Sequence, residues 1–276
     1  MSTNKESLFG TISEDLFAAG VEFIGTTFFL LLAFGGVQAV TGEAGPVDNI
    51  SRIMYISLSF GFSLVVSAWL FYRVTGGLFN PNVSLALLIS GVIGPVRFVL
   101  FCLAQMAGGI AAAALTLALF PGPLAANTIL AVGINPAQGV FIEMFITAAL
   151  CIAVLMFAAE KHATTPLAPV GIGLTLFIDE LFAAYYTGGS ANTARSFGPA
   201  AVTGFPHGSH WVYWVGPLLG SLLASIMYAI LKHYRYWTLN PGQDATEVEK
   251  SPPDPIARVI GGRGSNEVEP NGHHAV

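Results

Sequence analysis

Six long apolar runs, at residues 17–40, 53–71, 98–120, 139–159, 167–186 and 211–231, constrain this 276-residue chain more than any other feature. Each is close to the about 20 residues that an α-helix needs to cross the hydrocarbon of a bilayer. Lipid offers backbone N–H and C=O groups no partners, so each run must satisfy its own as a helix. Two further apolar stretches, 83–92 and 193–202, have about half the length of a crossing and read as re-entrant half-helices. The composition fits: 54% of residues are apolar and 10% charged, against roughly 25% charged in an average soluble domain. A surface facing water on all sides cannot be assembled from that mixture, so the expected fold class is an all-α membrane protein.

The net charge of -5 offers little to a polyphosphate and excludes nucleic acid as a partner. Cys102 and Cys151 sit inside apolar runs, where a thiol behaves as a small hydrophobe. No cysteine or histidine spacing calls for a disulfide framework, a metal or a cofactor. Residues 1–16 are polar and lack the apolar stretch of a signal peptide, which leaves the first span to direct insertion. With the N-terminus inside, Lys5, Arg73, Arg97, Lys161, Lys232, Arg235, Lys250, Arg258 and Arg263 fall on the cytoplasmic side. Only Arg52 then lies outside, so both termini are expected to be cytoplasmic.

At a constant offset of 112 residues the chain repeats itself. Thr75-Gly76-Gly77-Leu78-Phe79-Asn80 aligns with Thr187-Gly188-Gly189-Ser190-Ala191-Asn192, and Gly61-Phe62-Ser63-Leu64 with Gly173-Leu174-Thr175-Leu176. Ala104, Gly108 and Ala112 likewise match Gly216, Gly220 and Ala224, two ridges of small residues that let membrane helices approach closely. A nine-residue gap brings Glu22 and Thr26 onto Glu143 and Thr147. Three spans per copy is an odd number, so the second copy enters from the opposite side. Such inverted repeats place functional sites near the midplane, where interrupted helices meet. The expected organisation is a cytoplasmic tail (1–16), a first repeat (17–120), an extracellular loop (121–138), a second repeat (139–231) and a cytoplasmic tail (232–276). Its Pro, Gly and charge content from Asn240 onward predicts disorder there.

Each half-helix starts with an Asn after a Gly-Gly turn: Asn80-Pro81-Asn82 in the first copy and Asn192-Thr193-Ala194 in the second. Asn is a favoured N-cap, and Pro is favoured at the first helical position. Two symmetry-related helix starts would aim the positive ends of their dipoles at each other in mid-membrane. Through these residues, Val83-Ser84, Arg195-Ser196-Phe197-Gly198-Pro199-Ala200, Glu22 and Glu143, residues 22–231 resemble the major intrinsic protein family, the aquaporins and aquaglyceroporins. The Asn-Thr-Ala form of the second motif resembles the fungal branch. The resemblance implies six spans with two half-helices, a passive channel that is not an enzyme, and a homotetramer in a lipid bilayer.

Roles for residues follow from the same resemblance. Asn80 and Asn192 would each offer a side-chain N–H to a passing oxygen at the midplane, flanked by Pro81, Asn82, Thr193 and Ala194. Backbone carbonyls of Gly76, Gly77, Gly188 and Gly189 would supply acceptors, and Phe60, Glu180, Gly189 and Arg195 would form the narrow filter. Selectivity in aquaporin-type channels rests on pore diameter, lining hydrogen-bond groups and an Arg or half-helix dipole barrier. Three positions depart from the family: Asn82 replaces Ala, Thr193 replaces Pro, and Glu180 stands where water-selective members usually carry His and glycerol-conducting members Gly. An ionisable group in a membrane helix is costly. Glu180 could face the pore and pair with Arg195, or turn away into a structural role beside Asp179. Glu22 and Glu143 fit a proton relay or, as the family implies, anchors for the loops ahead of the half-helices.

Ser196 after Arg195 and the short segment 199–211 favour the water-conducting branch, while Gly189 and the missing filter His leave room for small neutral solutes. The function expected is single-file, proton-excluding passage of water across the plasma membrane. The alternatives are a channel for hydrogen peroxide or glycerol, a secondary transporter using Glu22, Glu143 and Glu180 as coupling carboxylates, and a non-conducting protein plugged by Glu180 and Arg195.

Overall fold

The structure, a computed structural model, describes residues 11–42 and 49–243. In chain order its helices are α1 (Ile12–Gly42), α2 (Asn49–Phe71), α3 (Pro81–Ile89), α4 (Pro95–Leu119), α5 (Pro136–Val154), α6 (Ala168–Thr187), α7 (Thr193–Thr203) and α8 (Val212–His233). A single π turn, Leu155–Ala159, continues α5. Six of these helices are long and apolar enough to cross a membrane, α3 and α7 are the two short ones, and no strand occurs among the described residues.

The helices overrun several apolar runs because their ends carry local signals. Glu14 and Asp15 in the first turn of α1 complement the helix dipole, and Asp15 pairs with Arg97 Nε at 2.7 Å. Asn135 and Gln138 form a reciprocal capping box that starts α5. The first half-helix begins at Pro81 rather than at residue 83, since Pro81 fits the first helical position behind its Asn80 cap.

Packing follows the duplication. α1 lies on α4 as α5 lies on α8, α2 meets α6, and each half-helix packs on the last span of the opposite repeat, α3 on α8 and α7 on α4. A Cβ at Gly108 would come within 2.9 Å of the Phe23 carbonyl oxygen on α1, and one at Gly220 within 2.6 Å of the Met144 carbonyl oxygen on α5. The small-residue ridges are therefore used inside the protomer. Large apolar side chains such as Phe62, Phe141, Phe182 and Ile226 point outward, while Glu22, Gln105, Glu143 and Arg195 are buried. That reversal of a soluble protein's pattern is what a lipid solvent demands.

Beyond the π turn, Glu160 accepts hydrogen bonds from Tyr228, from Lys232 at 2.9 Å and from Tyr236 at 2.9 Å. Burial alone would raise its pKa, but these donors outweigh it and hold the carboxyl below its ordinary value. Residues through Tyr236 cluster as one unit, and a second unit begins at Trp237. Most of the N-terminal tail, the C-terminal tail beyond Gln243, and Lys5, Lys250, Arg258 and Arg263 lie outside the described residues.

Candidate functional site

The site is built where α3 and α7 meet head to head. Asn80 caps α3: its Oδ1 accepts the Asn82 N–H at 2.9 Å, and its Nδ2 donates to the Ala191 carbonyl at 2.8 Å. Asn192 does the same for α7, accepting the N–H groups of Ala194 (2.9 Å) and Arg195 (3.2 Å) and donating to the Phe79 carbonyl at 2.9 Å. A carboxamide nitrogen carries two hydrogens. Each Asn therefore keeps one after serving the opposite half.

Both receiving carbonyls belong to residues in the left-handed region, Phe79 at φ 51° and Ala191 at φ 48°. A non-glycine residue holds that conformation only when its surroundings fix it. The fixing groups are the two buried glutamates. Glu22 accepts from Thr75 Oγ1 (2.5 Å), Leu78 N (3.2 Å), Phe79 N (2.8 Å) and Gln105 Nε2 (2.9 Å). Glu143 accepts from Thr187 Oγ1 (2.6 Å), Ser190 N (3.0 Å) and Ala191 N (2.9 Å). Each carboxylate thus ties down the loop that enters its half-helix.

A narrow cavity passes this junction, with about 30 Å³ open to the centres of water-sized molecules. One water needs about 10–15 Å³ by that measure, so about two waters fit. Its wall is mostly apolar, from Phe29, Leu64, Val83, Leu150, Ile172 and Leu176, and its polar contributions come from Asn80, Asn192, Ser190, Arg195 and the Gly76-Gly77 segment. Phe60 also lines it. Pro81, Asn82, Thr193 and Ala194 are buried or nearly so beside the junction but not in the lining.

Arg195 lines the same cavity. Its Nε donates to the Gly189 carbonyl (3.2 Å), one terminal nitrogen to Ala126 (2.6 Å) and the other to Gly188 (3.2 Å). The guanidinium carbon stands 4.7 Å from the centre of the Phe60 ring and 5.5 Å from that of Phe34. The expected Gly188 and Gly189 carbonyls thus each already hold an Arg195 N–H.

Glu180 lies on the same stripe of α6 as Ile172 and Leu176, two and one helical turns on, and is 1% exposed. Its carboxylate occupies the space a side chain at Gly189 would need, 2.2 Å from an ideal Cβ there. Gly189 has φ +57°, so both the space and the backbone require glycine. The suggested ion pair with Arg195 does not form: the ion pairs among the described residues are Asp15–Arg97 and Glu160–Lys232. Both Glu180 oxygens, and Asp179 Oδ2, are buried without a hydrogen-bond partner. Arg195 prefers the three carbonyls because they converge on its planar fork from two loops.

Sequence reasoning missed several contributors. Ala126 supplies a backbone carbonyl and leaves no side-chain trace, and Phe34 cannot be told apart among 20 Phe residues. Gln38 and Gln105 did carry a signal, as lone amides in apolar runs. Gln38 donates to the Pro121 and Pro123 carbonyls and accepts from Ala125 N, bracing the loop that delivers Ala126. Gln105 ties Glu22 to Ser84. Among the described residues no three His, Cys, Asp or Glu side chains are grouped to hold a metal.

Comparison with known proteins bears on the same residues. The family profile described as Major intrinsic protein matches residues 13–228. Aquaporin-1 of Laccaria bicolor is 61% identical over 256 residues, which is 91% of this chain and 82% of that protein. Aquaporin-7 of Botryotinia fuckeliana is 47% identical over 281 residues, 93% of this chain and 62% of that protein. The X-ray structure of the aquaglyceroporin from Plasmodium falciparum shares the fold, with a TM-score of 0.65 at 17% identity over 82% of this chain and 98% of that one. A profile spanning nearly the whole membrane region, joined to fungal relatives of this similarity, makes the chain a member of the major intrinsic protein family in its aquaporin branch, a channel and not an enzyme.

Proposed function

We propose that this channel conducts water in single file and excludes protons, as a homotetramer in the plasma membrane with both termini cytoplasmic. The observation that carries the reading is the Asn80–Asn192 pair, in which each amide spends one N–H on the opposite half and keeps one. A water oxygen held by two such donors must point its own hydrogens away along the pore, in opposite directions, and that interrupts a proton relay. The facing N-terminal ends of α3 and α7 add positive potential at the same point, which opposes cations. Arg195 adds fixed charge at the end that the positive-inside pattern places outside. Relatives that bear the name aquaporin support the reading.

A second reading, permeability to hydrogen peroxide or small polyols, draws on Glu180. Its carboxylate oxygens are buried without a partner and outside the cavity lining, and a rotation away from Gly189 would offer them to a solute with two or more O–H groups. The test is reconstitution of the purified protein in liposomes, with stopped-flow shrinkage under sorbitol, re-swelling under glycerol and peroxide entry read by a trapped dye. Fast, weakly temperature-dependent water flux without proton leak is expected. Flux equal to empty liposomes would replace the reading by a plugged pore, and saturable, proton-coupled flux by a transporter.

A further inference from the structure

The two half-helices treat their first N–H differently. At the start of α3, Pro81 has no N–H to satisfy. At the equivalent position of α7, Thr193 brings one into a site where the residue is 4% exposed. The first N–H groups of a helix have no partner within it, and a buried donor left alone is costly.

Asn82 supplies the partner. Its Oδ1 accepts the Thr193 N–H at 2.9 Å and lies 2.9 Å from Thr193 Oγ1. Asn82 is itself held from three sides: its N–H goes to Asn80 Oδ1 (2.9 Å), and its carbonyl accepts from Ser221 Oγ (2.8 Å) and Cys151 Sγ (3.7 Å). Thr193 Oγ1 lies 3.1 Å from the Tyr213 carbonyl as well. The symmetry-equivalent pair is Pro81 with Ala194, and neither of those side chains can donate or accept. The strap therefore exists in one of the two equivalent places.

We propose that Asn82 is a positioning residue for conduction. Its side chain replaces the missing proline of the second motif, locks the start of α7 onto α3, and so keeps the spare N–H groups of Asn80 and Asn192 aimed at the same point. The two departures from the family motif, Asn82 and Thr193, then form one device. Asn82 works through Asn80 and Asn192 and does not line the cavity itself.

The test is a double-mutant cycle in the full chain: Asn82→Ala, Thr193→Pro and both together, each reconstituted in liposomes. Water flux per protein, proton leak with a trapped pH dye, and thermal melting are recorded. Asn82→Ala strands the Thr193 N–H, and Thr193→Pro drives the proline ring into the Asn82 oxygen. Each is expected to lower water flux by about fivefold and to raise proton leak. The double variant recreates the Pro–Ala pairing of the first repeat, and it is expected to recover at least about half of wild-type flux and the proton barrier. Losses that multiply to about 25-fold in the double variant would overturn the proposal, as would an Asn82→Ala protein indistinguishable from wild type. If either single variant fails to fold, the yield of folded double variant decides: recovery supports the strap and failure overturns it. The flux readout rests on the water-channel reading. Wild-type protein that passes no water would refute that reading and with it the role in conduction, while additive losses in the melting cycle would separately overturn the coupling of Asn82 to Thr193.

Discussion

The two repeats put the same scaffold at the two ends of the pore and load it differently. At the 112-residue offset, Phe60, Leu64 and Ala68 on α2 become Ile172, Leu176 and Glu180 on α6, Leu78 becomes Ser190, and Val83 becomes Arg195. The geometry confirms the equivalence independently. A Cβ on Gly77 would meet Ala68, and a Cβ on Gly189 would meet Glu180. The anchoring glutamates are equivalent too, each bonded to a Thr hydroxyl and two successive N–H groups of its own half-helix loop. Duplication thus delivers the midplane junction twice over, because both halves must build it. Among these aligned positions the charged side chains, Glu180 and Arg195, fall in the second repeat alone.

The largest test of the comparison is removal of the anchors. Glu22→Ala and Glu143→Ala each leave two buried backbone N–H groups unpaired, at about 1–3 kcal/mol apiece, so losses above roughly 2 kcal/mol are expected. Similar drops in melting temperature would uphold the equivalence, and a large drop at one site alone would break it. Next come the paired glycines, Gly77→Ala and Gly189→Ala, both at positive φ and both expected to abolish most water flux. Truncation of Glu180 to Ala should rescue Gly189→Ala in part, since it removes the steric obstacle and leaves the cost of the positive φ. No such truncation relieves Gly77→Ala, whose new Cβ would lie 3.0 Å from Ala68 backbone atoms.

Arg195→Val would give the charged end the residue of its counterpart Val83. Entry of glycerol or larger solutes is expected to rise several-fold while water flux changes less, as read by re-swelling rates. A smaller change is expected from Glu180→His, which should favour water over larger solutes. An unchanged solute ratio would mean that Glu180 does not act on the pore. The smallest effect concerns Glu160, whose carboxyl titrates below its ordinary value of 4.5. A depressed folded-state pKa stabilises above the unfolded value and is lost as pH falls through the folded one. Wild-type melting should therefore decline in acid below about pH 4.5, and Glu160→Gln should flatten that part of the profile.

The sequence by itself determined the six spans, the two half-helices, their Asn caps and the inverted duplication. Apolar run length, helix starts and an internal offset are local or self-referential properties, and lipid leaves the backbone no alternative to helix. Asn80 and Asn192 were legible because they recur in register, and Glu22 and Glu143 because they recur once a nine-residue gap is allowed. Three features were decided only by the tertiary structure: the partners of Arg195, the position of Glu180 and the bond between Asn82 and Thr193. Arg195 reaches Ala126 across 69 residues of chain, and Asn82 reaches Thr193 across 111. From the sequence, Glu180 could pair with Arg195 across the pore or turn away beside Asp179. In the fold, three converging carbonyls claim the guanidinium first and leave the carboxylate against Gly189, because directional hydrogen bonds fixed by a loop outcompete a charge that lacks the geometry to reach.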